Sequence, residues 1–152
     1  MRHALLWMVL AAILTSASDG GSETILHLPV PKTVAAQAAL RTAGDRRVPP
    51  PILILEGVEL GAAEGITIQV LGPPEPGSSG LGPVLAVTSM VGRPQKTPHP
   101  PFHKVTLAVP LNDRAAKFLA GRSDVTLTLK VTKSPGRPAV KVARAFFKEP
   151  NG

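Results

Sequence analysis

From residue 52 onward, apolar and polar side chains alternate with a period of two, which is typical of β-strands with one buried face. The clearest stretch is DVTLTLKVTK (124–133), and the same alternation occurs in ITIQVL (66–71) and KVTLAV (104–109). These three stretches predict strands whose apolar faces share one core. The predicted inward-facing residues are Ile66, Ile68, Val70, Val105, Leu107, Val109, Val125, Leu127, Leu129 and Val131.

Three other segments also favour strands. ILIL (52–55) is apolar on both faces, as expected of a buried central strand, and VLAVTSMV (84–91) is rich in β-branched residues. AVKVARAFF (139–147) forms the last predicted strand. Its apolar positions shift from even-numbered to odd-numbered residues, which predicts a β-bulge.

Only LNDRAAKFLAG (111–121) within this region breaks the period of two. Asn112 or Asp113 can cap a helix start, and Gly121 can end the helix. Six or so strands, tight turns and one short helix near 112–120 predict an all-β fold, an antiparallel β-sandwich that is jelly-roll-like or a small barrel.

The first nineteen residues are predicted to be a signal peptide. A basic start, MRH, precedes the short apolar run ALLWMVLAAIL, and small residues follow it. That run is too short for a membrane-spanning helix, which needs about 20 apolar residues. We therefore expect a secreted or periplasmic protein without a membrane span after cleavage.

Residues 20–51 differ in composition from the rest and predict a proline- and alanine-rich linker. Prolines stand at both ends of the segment, and Thr33 could cap one short helix that reaches about Leu40. The predicted globular domain is therefore 52–148. The chain contains no cysteine, so this domain must be stabilised by packing without disulfides.

The charge composition narrows the range of partners. The sequence has 17 Lys and Arg against 10 Asp and Glu, a net charge of +7. Nucleic-acid binding is not expected, because the basic residues are scattered and the chain has few aromatic residues on which bases could stack. Such a charge favours acidic partners or anionic surfaces, and a basic surface that is simply solvated is the plainer interpretation.

The segment KTPHPPFHK (96–104) raises the question of a metal site. A helical histidine pair is excluded because Pro100 and Pro101 lie between His99 and His103. An extended segment could still bring both imidazoles to copper, with Met90 or His27 as a third ligand. The alternative to a copper site is a stiff loop that leads into a strand starting near Lys104. Neither the G-x-S-x-G nor the G-x-x-x-x-G-K-[ST] motif occurs, and we do not expect an enzyme.

The order of segments in 52–148 resembles the C-terminal domain of plant and bacterial polyphenol oxidases. Glu56 and Gly57 match the "EG" strand of that family, Pro98 and His99 match its "P-H" segment, and DVTLTLKV matches a late apolar strand. The chain departs from the family where ITIQV replaces a "K-F-D-V"-like strand. It also lacks the helical oxidase domain, which supplies the six copper-binding histidines.

The resemblance implies a non-catalytic β-sandwich that shields the entrance of a copper centre, here as a separate exported chain. Its partner would be a type-3 copper oxidase subunit, and His99, Phe102 and His103 would lie at or near the contact. Two alternatives stay open. One is a periplasmic copper-handling protein with copper bound by Met90, His99 and His103, and the other is a structural exported sandwich without an oxidase partner.

Overall fold

The computed structural model describes residues 13–18, 21–61, 65–91, 102–133 and 141–151. These residues form two antiparallel β-sheets and two helices. The elements are β1 (Ile13–Ser18), β2 (Gly21–Pro29), α1 (Lys32–Thr42), β3 (Ile52–Gly61), β4 (Gly65–Leu71), β5 (Val84–Val91), β6 (Phe102–Pro110), α2 (Asp113–Leu119), β7 (Asp124–Lys133) and β8 (Arg144–Phe147). The larger sheet has the order β1-β2-β7-β4-β5, and the smaller has the order β6-β3-β8.

The predicted antiparallel sandwich is confirmed, and the alternation in sequence becomes alternation in burial. Along β7 the four predicted inward residues are all buried, and along β4 the same holds for its three. In β6 Val109 is buried, while Val105 and Leu107 are half-buried against the same core. β3 is the central strand of the smaller sheet, as ILIL predicts, with Leu53 and Leu55 fully buried.

The connections between successive elements lie at two opposite ends of the sandwich. One end, the loop end, carries the connections β1–β2, β3–β4, β5–β6 and β7–β8. The opposite end, the helix end, carries α1, α2 and the loop between β4 and β5. This arrangement follows from antiparallel pairing, because successive antiparallel strands run in opposite directions.

Both helices lie at the helix end and cover the core there. α2 confirms the helix predicted near 112–120, and Asn112 caps it by accepting hydrogen bonds from the backbone N–H groups of Arg114 and Ala115. The buried side chains of the two helices are mostly small: Val34, Ala35, Gln37, Ala38, Ala115, Ala116 and Leu119. Small side chains let the helices approach each other and the sheets closely.

The segment predicted as a linker, 20–51, is largely part of the fold. β2 pairs with β7 over nine residues, and its Leu26 and Leu28 are buried opposite Leu127 and Val125. α1 is longer than the predicted short helix and adds Val34 to the same core. The proline-rich composition concealed this because Pro29 and Pro31 lie at the β2–α1 boundary, at the last residue of the strand and at the N-cap of the helix.

The irregularity predicted for the last strand lies instead in its neighbour. β8 is only four residues long and regular, with Ala145 and Phe147 buried. The register shift occurs in β3 between Leu55 and Val58 in its pairing with β6. Gly57 adopts a positive φ of 66° there, a conformation that favours glycine.

Most of the predicted signal peptide lies outside the described residues, and its cleavage stays a prediction. Residues 13–18 form β1, which pairs with 21–26 of β2. Among the residues that the structure describes, no helix is long and apolar enough to cross a membrane.

Candidate contact surface

Two of the three sequence-predicted interface residues, Phe102 and His103, lie at the loop end. β5 ends at Val91 and β6 begins at Phe102, so segment 92–101, which contains His99, connects two strands at this end. Phe102 pairs with Gly61 at the end of β3, and Val91 pairs with Gly65 at the start of β4. The β3–β4 and β5–β6 connections therefore leave neighbouring strand ends.

Phe102 and His103 are strand residues, whereas the sequence predicted a loop up to about Lys104. Their backbones pair with Gly61 and Leu60 of β3, which adds two residues to the start of β6. His99 lies outside the described residues. The proposed contact roles of His99, Phe102 and His103 stay predictions.

Of the alternative copper ligands, the structure places Met90 and His27 on opposite faces of the larger sheet, and copper binding by Met90, His99 and His103 stays a prediction. Met90 is half-buried and packs against the hydrophobic core, on the inner face of the larger sheet. His27 lies on the outer face of that sheet, where its Nδ1 is 3.0 Å from Oγ1 of Thr126. Because the sheet separates them, Met90 and His27 cannot bind one ion together. In the part of the chain that the structure describes, no three His, Cys, Asp or Glu side chains form a group that could hold a metal ion.

Two of the four connections at the loop end, 92–101 and 134–140, are basic in sequence, whereas the β1–β2 and β3–β4 connections contain Asp19 and Glu64. The connections 92–101 and 134–140 contain Arg93, Lys96 and Arg137 and no acidic residue. Next to these connections, Lys104 of β6 and Lys141 before β8 are exposed. Glu59 lies beside both lysines, since it is opposite Lys104 in the β3–β6 pairing and its backbone N–H donates to the oxygen of Lys141. Exposed cations attract an acidic surface over about a Debye length, roughly 8 Å at physiological ionic strength.

The helix end is held together by specific polar contacts. Nε of Arg41 on α1 lies 2.7 Å from Oδ1 of Asp113 on α2, and Nη1 of Arg41 donates to the backbone oxygen of Val48 at 2.6 Å. Nδ2 of Asn112 donates to the backbone oxygen of Val84 at 3.0 Å, which links the α2 cap to β5. These contacts position the helices over the core.

An open groove also lies at the helix end, between α1 and the turn that follows α2. It has a volume of about 540 Å³ and a largely apolar floor that includes Val30 and Ala35, with Lys32 and Arg122 along its sides. Both cations are exposed. The groove is wide and shallow, and its arrangement identifies no particular ligand.

Sequence reasoning missed an exposed apolar strip on β5 and the loop before it. The strip consists of Leu81, Val84, Val87 and Val91, whose exposed fractions are 50%, 42%, 56% and 74%. Among the described residues only Ile25 and Leu40 are comparable exposed large apolar side chains. The signal in the sequence is an eight-residue strand, 84–91, without a charged residue or proline.

Comparison with known protein families finds no family model that matches the chain, and comparison with curated proteins finds no matching relative. The likeness to the polyphenol oxidase domain therefore rests on the order of the strand patterns alone.

Proposed function

We propose that this protein is a non-catalytic accessory domain that acts by protein–protein contact through its loop end. Its partner is a type-3 copper oxidase subunit, as the resemblance to the C-terminal domain of polyphenol oxidases implies. In this role the domain covers the entrance of the oxidase's copper centre and limits substrate access. The predicted signal peptide places the encounter in a secreted or periplasmic setting.

The observation that carries this proposal is that two connections with a basic sequence, 92–101 and 134–140, leave from strand ends at the loop end. Segments 92–101 and 134–140 leave from the loop end with three basic and no acidic residues, and Lys104 and Lys141 are exposed beside them. Two basic connections at one end of a sandwich suit docking to an acidic surface. Charge complementarity of this kind chiefly accelerates association and sets orientation.

Phe102 is the proposed apolar anchor within this charged surface. Its backbone, at the start of β6, is fixed by pairing with Gly61 of β3, and Pro98, Pro100 and Pro101 restrict the chain just before it. Docking a segment that is already restricted costs little conformational entropy. Aromatic side chains are enriched among the residues that dominate binding energy in interfaces.

The test uses the full exported chain and a type-3 copper oxidase that lacks its own C-terminal domain. We expect binding to inhibit catechol oxidation, and a Lys104→Glu, Lys141→Glu variant to weaken binding by at least about tenfold at low salt. The matched control is Lys117→Glu, Lys148→Glu, which makes the same charge change with two exposed lysines at the helix end. Equal loss in both variants, or no binding by the parent chain, would refute the proposal.

Phe102→Ala tests the anchor separately. The contact role predicts an unchanged melting temperature together with weaker binding and weaker inhibition of the oxidase. A large fall in melting temperature would assign Phe102 to the core, and its contact role would then be dropped.

A further inference from the structure

The outer edge of β5 is an open edge of the larger sheet. β5 pairs with β4 on one side, and among the described residues no strand pairs with its other side. At its beginning the edge is covered, because the backbone N–H of Asn112 donates to the oxygen of Leu85 at 2.9 Å. From 86 to 91, which we call the β5 edge, no strand among the described residues pairs with this side, and Val87 and Val91 are exposed on the outer face.

The β5 edge lacks the features that normally protect an edge strand from pairing. Charged side chains, proline, bulges and short length all discourage strand addition. β6 has an exposed lysine, Lys104, and ends at Pro110, and β8 has only four residues and begins with Arg144. The β5 edge has no charged residue and no proline, and its pairing with β4 is regular from Ala86 onward. The opposite edge of the larger sheet, β1, also has no charge or proline, but it lies within the predicted signal peptide.

We propose that two copies of this chain associate through antiparallel pairing of their β5 edges, with a two-fold axis at Ser89. In this register Val87 of each copy lies opposite Val91 of the other, and Ser89 lies opposite Ser89. The pairing joins the two larger sheets into one continuous sheet across the two-fold axis. The inference goes beyond the proposed function and does not depend on it, because it uses the β5 edge and not the loop end.

The register follows from which side chains share a face. Residues directly opposite each other in an antiparallel pair point to the same face of the sheet. Ala86 and Met90 pack toward the core, whereas Val87, Ser89 and Val91 are exposed on the outer face. With the axis at Ser89, inner-face residues lie opposite inner-face residues and outer-face residues lie opposite outer-face residues. Each exposed valine of one copy then contacts a valine of the other copy. It also brings Thr88 opposite Met90 on the inner face.

A second copy suits this edge better than a charged partner does. Each residue of the β5 edge lies opposite an uncharged residue of the second copy, so the interface contains no unpaired charge. Because the chain has a net charge of +7, the two copies repel each other at longer range, and added salt should strengthen their association. Association with an acidic partner should weaken with salt instead.

Sedimentation equilibrium over a concentration series tests the proposal. We expect a monomer–dimer equilibrium that shifts toward dimer between about 50 and 500 mM salt, in the range where screening changes most. Val87→Lys should weaken association at least tenfold, whereas Leu40→Lys, which adds the same charge at an exposed apolar position of α1, should leave it unchanged. Val87→Lys combined with Val91→Glu should restore association, because the introduced lysine and glutamate then face each other across the axis.

Hydrogen exchange locates the contact independently of these variants. At high protein concentration the backbone amides of 86–91 that face the open edge should exchange more slowly than in dilute solution. The proposal is overturned if the chain stays monomeric throughout, if the double variant at 87 and 91 associates no better than Val87→Lys, or if the concentration-dependent protection lies elsewhere. Melting temperatures of all variants identify any that fail to fold. In that case hydrogen exchange in the parent chain still decides whether the β5 edge is the contact.

Discussion

Gly57 of β3 lies directly against Ala143, the residue just before β8. A Cβ placed on Gly57 would be 2.6 Å from the Cβ of Ala143, a distance that real Cβ atoms essentially never show. At the same place the backbone N–H of Ala143 donates to the oxygen of Glu56 at 2.9 Å. Because Gly57 has no side chain, the backbone of the β3 bulge can lie against Ala143 at a distance that a Cβ would prevent. Gly57 also adopts the positive φ that the bulge requires.

Gly57→Ala should therefore destabilise the fold by roughly 2 to 4 kcal/mol, because the left-handed backbone and the contact with Ala143 both carry a cost. Gly121→Ala is the matched control, since Gly121 has a φ of 65° but no atom within 4 Å of the added Cβ. It should cost about 1 kcal/mol, the backbone contribution alone. Combining Gly57→Ala with Ala143→Gly should recover the difference in denaturant unfolding. Equal losses for Gly57→Ala and Gly121→Ala would show that the close approach costs nothing.

Leu127→Ala and Leu129→Ala should each cost about 2 to 5 kcal/mol, the range for truncating a buried leucine. Both side chains are essentially inaccessible to solvent on the inner face of β7. Thr132→Ala, a substitution at an exposed position of the same strand, should change stability by less than about 0.5 kcal/mol. The measurement is the free energy of unfolding in urea. A loss under about 1 kcal/mol at both leucines would contradict the observed burial.

Asn112→Ala should cost about 1 to 3 kcal/mol, because it removes both the cap of α2 and the hydrogen bond to the Val84 oxygen. Asn112→Asp separates the two contributions. A carboxylate still accepts hydrogen bonds from the first turn of α2, but it cannot donate to Val84. We expect thermal unfolding to give a loss for Asn112→Asp that lies between those of the parent and Asn112→Ala. An Asn112→Asp variant as stable as the parent would mean that the link to β5 contributes no stability.

Copper titration should not distinguish the parent chain from a His99→Ala, His103→Ala double variant. The physical reason is that the side chain of Met90 packs against the core and Nδ1 of His27 lies 3.0 Å from Oγ1 of Thr126, so both side chains already make structural contacts. Calorimetry with Cu(I) and with Cu(II) is the direct measurement. Tight binding that the double variant loses would revive the copper-handling alternative.

The sequence alone was sufficient for the sandwich class, the central position of β3, the inward residues of β4 and β7, and the helix at 113–119. Each of these follows from a local pattern: alternation with a period of two places side chains on opposite faces of a strand, and Asn112 with Gly121 marks the limits of a helix. Such signals extend over neighbouring residues, so a single stretch is enough to recognise them.

Contacts between distant parts of the chain depended on the tertiary structure. β2 contributes to the core because it pairs with β7, and α1 does so because it packs over one end of the sandwich. No local pattern in 20–51 indicates that these segments contact distant parts of the chain. The bulge lies in β3 instead of the last strand because Gly57 can bend there and accommodate Ala143. The open β5 edge exists because sheet order leaves that strand outermost. Strand order is set by pairing between segments far apart in sequence, and a pattern read along the chain contains no information about which strand will lack a neighbour.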